Sequence, residues 1–339
     1  MNPTVSTFIA LGKKLSEYVD SEGKNPEFES FLNKVNQSNG WFDPQQVKSA
    51  IRSWSLALSG PNVERWLQKV SFTITSPKTI GLIVAGNIPL VGMHDLLCLW
   101  ASPHRARIKC AAKDPLLLPW IVSELESISP SDQGRIEFVE GALKDYEAVI
   151  ATGSNNSARY FESYFSKVPH LIRKNRNGIA VLDGTETKEQ LEALGDDILR
   201  YYGLGCRSVS KVYLPEGYNL DLVFGGLYPH RSVMEAQKYA NNYDYNKAVY
   251  LMSEYKFLEN GFFLLRESTD WAAPIACLNY TFYKHLDEVK EAIATHSNSI
   301  QCIVSHCDVP TAFSFGLAQE PQLWDYADGV NTLSFLSQL

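Results

Sequence analysis

The sequence predicts an α/β protein of two domains, with doubly wound parallel sheets behind a helical N-terminal region. Three observations carry this expectation. From Ile80 onwards, short apolar runs alternate with segments whose apolar residues recur at helical spacing. Repeated strand–helix alternation implies parallel pairing through crossover helices. The length of 339 residues suits two domains, and a content of 45% hydrophobic against 20% charged residues is enough apolar material for a sizeable core.

The elements follow in order. Residues 1 to about 70 read as amphipathic helices: Phe8, Leu11, Leu15 and Tyr18 share a helical face, and a further helix runs from Pro44 towards Leu56. IGLIVAG (80–86) is a continuous apolar run, the pattern of a strand buried on both faces. VGMHDLLCLWA (91–101) reads as a helix, RARIKCA (105–111) as a strand, PLLLPWIVSEL (115–125) as a helix and RIEFVEG (135–141) as a strand. YEAVIATGS (146–154) is a strand ending in a turn, NSARYFESYF (156–165) a helix, GIAVLDG (178–184) a strand and KEQLEALGDDILRYYG (188–203) a helix. SKVYLP (210–215) opens a second α/β segment, which places the domains at 1–205 and 206–339. The run YANNYDYNKAVY (239–250) reads as a loop and helix cap.

Composition excludes several classes. A net charge of -7 leaves no dominant basic face, so nucleic acid is not an expected partner. The apolar stretch from Ile80 to Met93 is broken by Asn87 and Pro89 and is too short to span a bilayer. Six scattered cysteines form no C-x-x-C pair, and thiols without a pairing pattern suit a reducing compartment, so the cytoplasm is the expected location. Cys302, His306 and Cys307 lack a second pair of ligands, so the two thiols read as buried small apolar groups and no metal is expected.

Ligands of open parallel sheets sit at the carboxyl ends of the strands. Two turns there carry polar residues, Gly86-Asn87-Ile88-Pro89 and Thr152-Gly153-Ser154-Asn155. The second opens a helix, whose free N–H groups suit either a phosphate or a simple hydroxyl cap. No G-x-G-x-x-G follows the first strand, and Gly203-Leu204-Gly205 ends a helix, so neither is a phosphate loop. Two basic clusters, His104 to Lys113 and Lys167 to Arg176, read either as phosphate contacts or as a solvated rim.

The ordered set of Asn87 in GNIP, Lys109 in IKCAAKDP, TGS at 152–154 and Cys206 in GLGC resembles the aldehyde dehydrogenase superfamily. That superfamily carries a W-N-F-P turn with a catalytic Asn, a strand ending in L-K-P-S, an F-T-G-S turn and a nucleophilic Cys after G-Q. Within it, GLIVAGNIPLVG, YYGLGCRSVSKVYLP and PQLWDYADGVNTLSFL look like the acyl-CoA reductase family, which includes the fatty-acid reductases of bacterial luminescence. The resemblance covers about residues 75 to 339.

It implies a two-domain aldehyde-dehydrogenase-like fold with Cys206 as nucleophile. The Asn87 amide and the Cys206 N–H would form the oxyanion hole. Lys109 would meet the adenosine ribose or its phosphate, and Thr152, Gly153 and Ser154 would line the cofactor. Asp270 in TDWAAP falls where the family has the Glu of E-E-x-F-G-P, which holds the nicotinamide ribose. The implied cofactor is NADPH or NADH, and the implied substrate is a coenzyme A thioester. An acyl phosphate, an acyl-carrier protein or a non-catalytic subunit role remain alternatives, with a homo-oligomer or an acyl-transferring protein as partner. Where hydrolytic members place a general-base Glu, this chain reads Leu171-Ile172-Arg173-Lys174-Asn175. An enzyme releasing an acid would need that carboxylate to activate water; one releasing an aldehyde from a thioester would not.

Overall fold

The computed structural model describes residues 3–21, 23–68, 70–73 and 76–339; residues 1, 2, 22 and 69 of the stretch read as helical lie outside them. The chain packs as two compact units, Met1–Asn175 with Pro321–Leu339, and Arg176–Glu320.

The first unit opens with α1 (Pro3–Asp20), α2 (Pro26–Ser38), α3 (Pro44–Ala57) and α4 (Gly60–Leu67). A proline sits in the first turn of α2, α3 and α4, where its missing N–H costs nothing, and Asn25 and Asp43 cap α2 and α3. β1 (Thr79–Ile83), α5 (Met93–Ala101), β2 (Arg105–Lys109), α6 (Leu117–Ile128), β3 (Ile136–Phe138), β4 (Ala148–Thr152), α7 (Asn155–Tyr164) and β5 (His170–Arg173) follow. The five strands are parallel in the order β3-β2-β1-β4-β5. The uninterrupted apolar runs of β1 and β4 belong to its centre, where Ile80, Leu82 and Ala148 to Ala151 are fully buried. α1 buries Phe8, Leu11 and Leu15 and meets α6, where the Tyr18 hydroxyl donates to Glu124 at 2.8 Å.

The second unit contains β6 (Asn177–Val181), α8 (Lys188–Leu199), β7 (Val209–Pro215), α9 (Leu220–Leu227) and α10 (Gln237–Met252). β8 (Leu258–Glu259), β9 (Leu264–Glu267), β10 (Cys277–Tyr283), α11 (Leu286–Thr295) and β11 (Ile300–Ser305) complete it. Its six-stranded sheet runs β11-β6-β7-β10-β9-β8, parallel except for β8 at the edge. The chain then returns to the first unit with α12 (Thr332–Ser337). Three side chains of that unit hold the returning segment: His94 Nε2 bonds Leu323 O at 2.8 Å, His104 Nε2 bonds Leu336 O at 2.9 Å, and Arg173 Nη2 donates to Thr332 at 2.7 Å.

Three features differ from the sequence reading. The sequence places the boundary at 205/206, by the thiol, whereas the chain packs with divisions at 175/176 and 320/321, because β6 pairs with both β7 and β11. Residues 239–250 lie inside α10: Tyr239, Tyr243, Asn246 and Tyr250 form its buried face at helical spacing, so the amphipathic period is written in tyrosines instead of aliphatics. β5 is a strand to which the sequence periodicity assigns no element. No helix among the described residues is long and apolar enough to cross a membrane.

Candidate active site

In the first unit, the strand order reverses between β1 and β4, which creates a topological switch point. The candidate residues of this unit gather along the carboxyl edge around it. Ile83, near the end of β1, is in register with Lys109 on one side and Ala151 on the other. Asn87 lies exposed in the bend after β1, Lys109 ends β2, and Thr152, Gly153 and Ser154 lead from β4 into α7. Gly153 is required by close approach, since a Cβ there would stand 2.8 Å from Ser157 Cβ. The Ser154 hydroxyl caps α7, accepting from the Ser157 N–H at 3.2 Å. The turn therefore serves as a hydroxyl cap, and the first N–H groups of α7 lie at the carboxyl edge of the sheet, where a phosphate could meet them.

Four members of the basic clusters have partners within the fold or are buried. Arg107 is paired with Glu137 at 2.9 Å and Asp145 at 2.8 Å, and His104 is buried. Lys174 pairs with Glu162 at 2.8 Å. Arg173 is buried and forked onto Asp95, with Nη2 at 2.7 Å and Nε at 3.2 Å, and a further bond to Ala327 O at 2.7 Å. The Arg173 guanidinium holds the Asp95 carboxyl below its ordinary range against the opposing effect of burial. Residues 170–173 are thus a strand locked by an ion pair.

In the second unit, Cys206 sits partly exposed in the turn between the kinked helical turn 200–203 and the amino end of β7. Several contacts fix that turn. Ser208 N–H donates to Gly205 O at 3.0 Å, Gly205 N–H returns to Ser208 Oγ at 3.2 Å, and Gln319 donates to the same hydroxyl at 3.1 Å. Just upstream, Tyr201 and Tyr202 are buried with φ of 53° and 58°, left-handed backbone that a bulky side chain adopts only under constraint. Gly178, in β6, lies under the turn: a Cβ there would meet Ser208 O at 2.8 Å and the Arg207 carbonyl carbon at 2.9 Å. The Arg207 side chain turns inwards, with Nε donating to Ala318 O and the guanidinium 4.8 Å over Phe313. Behind it, fully buried Asp197 accepts from Gly316 N–H at 2.6 Å and Ala318 N–H at 2.8 Å. Burial lifts its carboxyl to about 7, and these two donors only partly oppose the shift.

Asp270 is exposed in the loop joining β9 to β10. Parallel neighbours usually need a helical crossover, and here the connection is short and irregular. Its carbonyls would lack partners without the side chains that reach them. Lys211 Nζ donates to Ser268 O at 3.2 Å and Thr269 O at 2.9 Å, and Thr281 Oγ1 also donates to Ser268 O at 2.9 Å. Asn279 Nδ2 donates to Asp270 O at 3.2 Å and Ala272 O at 2.9 Å, and Ser210 Oγ to Trp271 O at 2.8 Å. Lys211 is 2% exposed, and burial lowers its ammonium to about 8, with Asp270 raising it in part. The strand whose amino end carries the Cys206 turn therefore also fastens the Asp270 loop.

No family model matches the sequence, and no curated protein matches it. Solved structures do. The chain is similar to a P. syringae indole-3-acetaldehyde dehydrogenase in complex with NAD+, with a TM-score of 0.65, 12% identity, and coverage of 92% of this chain and 74% of that one. An aldehyde dehydrogenase of Pseudomonas aeruginosa matches with a TM-score of 0.63, 15% identity and coverage of 90% and 72%. One of Physcomitrella patens, in complex with succinate, matches with 0.61, 14%, 89% and 74%. The chain has the aldehyde dehydrogenase fold.

Within that fold, sequence reasoning missed the residues that brace the candidate site. A lysine inside the apolar strand SKVYLP was the available sign of the clamp, since a buried ammonium must be given acceptors. A glycine opening the strand GIAVLDG was the sign of a close approach. The left-handed tyrosines and the Asp197 contacts left no local signal.

Proposed function

We propose that the protein is an NADPH- or NADH-dependent reductase of acyl thioesters, with an acyl-CoA as substrate. The observation that carries this reading is the braced, partly exposed turn of Cys206 ahead of β7, within an aldehyde dehydrogenase fold. It is supported by the lack of a carboxylate in 171–175, where Arg173 is committed to Asp95.

The switch point between β1 and β4 and the start of α7 suit a dinucleotide, with Lys109 at the same edge. A bound nicotinamide would supply the hydride. Cys206 acts as thiolate: its sulfur bonds the acyl carbon, the bond to the CoA sulfur breaks, and the electron pair leaves with CoA, which takes a proton. The amide of Asn87 donates to the oxygen as charge develops there. Once the acyl carbon has been reduced, its oxyanion re-forms the carbonyl, the bond to Cys206 breaks with its electron pair on sulfur, and free aldehyde leaves with the thiolate restored. Asp270 would hold the nicotinamide ribose through its exposed carboxylate.

Incubation with a long-chain acyl-CoA and reduced cofactor tests this directly. Cofactor consumption should vanish in Cys206→Ser and fall ~10²–10³-fold in Asn87→Ala. Undiminished consumption in Cys206→Ser overturns the assignment, and consumption with an acyl phosphate in place of the CoA ester moves the substrate class.

A further inference from the structure

We propose that Asp183, His306 and Cys307 form a binding site for a borderline-soft dication, zinc(II) in particular, with water as the fourth donor. The proposal is independent of the reaction assigned above.

The fold brings these residues together. β6 and β11 are parallel neighbours, and Ser305 is in register with Val181. Asp183 and His306 therefore leave the same edge of the second sheet side by side, although they are remote in sequence. The ligand atoms of Asp183, His306 and Cys307 all lie within 4.8 Å of one another. His306 Nε2 is 3.0 Å from Asp183 Oδ1 and 3.8 Å from Glu186 Oε1. A tetrahedral zinc with arms of about 2.0–2.3 Å spaces its donors about 3.3–3.8 Å apart, so small side-chain rotations close the cage. The donor set of imidazole, thiolate and carboxylate selects zinc or cobalt over the oxygen-seeking magnesium and calcium.

The surroundings hold the donors in place. Thr185 donates to Asp183 Oδ1 through its N–H at 2.9 Å and its hydroxyl at 2.7 Å. Glu186 accepts the Asp183 N–H at 2.7 Å and the Gly184 N–H at 3.1 Å, which fixes the turn. Cys307 N–H donates to Ser305 Oγ at 2.9 Å, and that hydroxyl donates on to Val181 O at 2.7 Å. Partners of this kind orient metal ligands. The His306 and Asp183 side chains are 26% and 38% exposed, which leaves an entry path, while that of Glu186 is 1% exposed and forms the floor. Cys302, grouped with His306 and Cys307 in the sequence, is buried within β11 and bonds Arg207 O at 3.3 Å, so it does not join them.

Cys206 precedes the amino end of β7, whereas this cluster follows the carboxyl ends of β6 and β11, which run parallel with it. Opposite edges of a seven-residue strand are ~20 Å apart. The ion would thus be a staple between the β6–α8 connection and the end of β11, not a participant at the thiol.

The test uses the full chain in a Cys110→Ser, Cys206→Ser background, which removes the other partly exposed thiols, and the metals alone. Cobalt(II) titration should give one equivalent bound with thiolate-to-cobalt charge-transfer absorption. That band should disappear in Cys307→Ser, and zinc affinity should fall at least ~100-fold in His306→Ala, beyond what loss of an outer partner costs. Zinc should raise the Tm of the parent but of neither variant. Asp183→Asn, a near-isosteric change, provides the second readout if His306→Ala unfolds. Equal binding by all variants, or only weak binding without the thiolate band, overturns the site.

Discussion

Lys211 Nζ lies 2.9 Å from the carbonyl oxygen of Thr269, so a buried ammonium fastens the residue next to Asp270. The contact implies that Lys211 positions the Asp270 carboxylate without touching any ligand. Lys211→Met keeps the volume and the burial but removes the donors. Two hydrogen bonds of ~1 kcal/mol each correspond to roughly a ten-fold to thirty-fold loss of affinity. NADH fluorescence titration should show such a loss, with the KM for cofactor raised more than kcat is lowered. Unchanged affinity in a folded variant would separate the loop from cofactor binding.

Gly178 offers a test of the Cys206 turn from behind. Its missing Cβ makes room for the carbonyls of Arg207 and Ser208. Gly178→Ala should displace the turn, cost about 1–3 kcal/mol of stability as overpacking does, and lower acyl-CoA reduction disproportionately. Iodoacetamide labelling of Cys206 reports the same displacement without any substrate. A variant with wild-type stability and labelling rate would contradict the close approach.

The buried carboxyl of Asp197 gives a pH dependence with a defined sign. Its folded value of about 7 lies above the ordinary 3.8, so the folded state holds the proton more tightly. The stabilisation is complete below about 3.8 and is lost as the pH rises towards about 7, with a limiting slope of ~1.4 kcal/mol per pH unit. Urea unfolding across that window should show the wild type losing stability relative to Asp197→Asn. If the difference between the two proteins stays flat with pH, the carboxyl is not titrating there.

The ion pair of Arg173 with Asp95 makes a fourth prediction. Both side chains are buried, and removing one partner strands the other charge. Arg173→Met should therefore destabilise the first unit by about 3–5 kcal/mol, and adding Asp95→Leu should restore much of the loss. A double-mutant cycle in denaturant measures both. Failure of the second change to recover stability would locate the cost in the Thr332 and Ala327 bonds instead.

The parts of the fold legible in the sequence are those written in local periodicity. β1 and β4 show as uninterrupted apolar runs because the centre of a parallel sheet is buried on both faces, and α1 shows as Phe8, Leu11 and Leu15 on one stripe. α10 was hidden because tyrosine and asparagine do the burying there, residues whose polarity argues for a loop. β5 is short and its end is Arg173, a charge that looks like surface until Asp95 is placed against it. The candidate residues themselves were visible as an ordered set of turns. What braces them was not, since Lys211 meeting Thr269, or Asp183 meeting His306, depends on which strands become neighbours.

The return of the segment 321–339 to the first unit bears on how the chain is made. All of Arg176–Glu320 leaves the ribosome before Leu323, Thr332 and Leu336 can reach His94, Arg173 and His104. The unit begun first is therefore finished last. Until then the buried charges of Arg173 and Asp95 lack their hydroxyl partner, so a nascent chain stalled in this interval should be the species most dependent on chaperones and most easily cut by proteases.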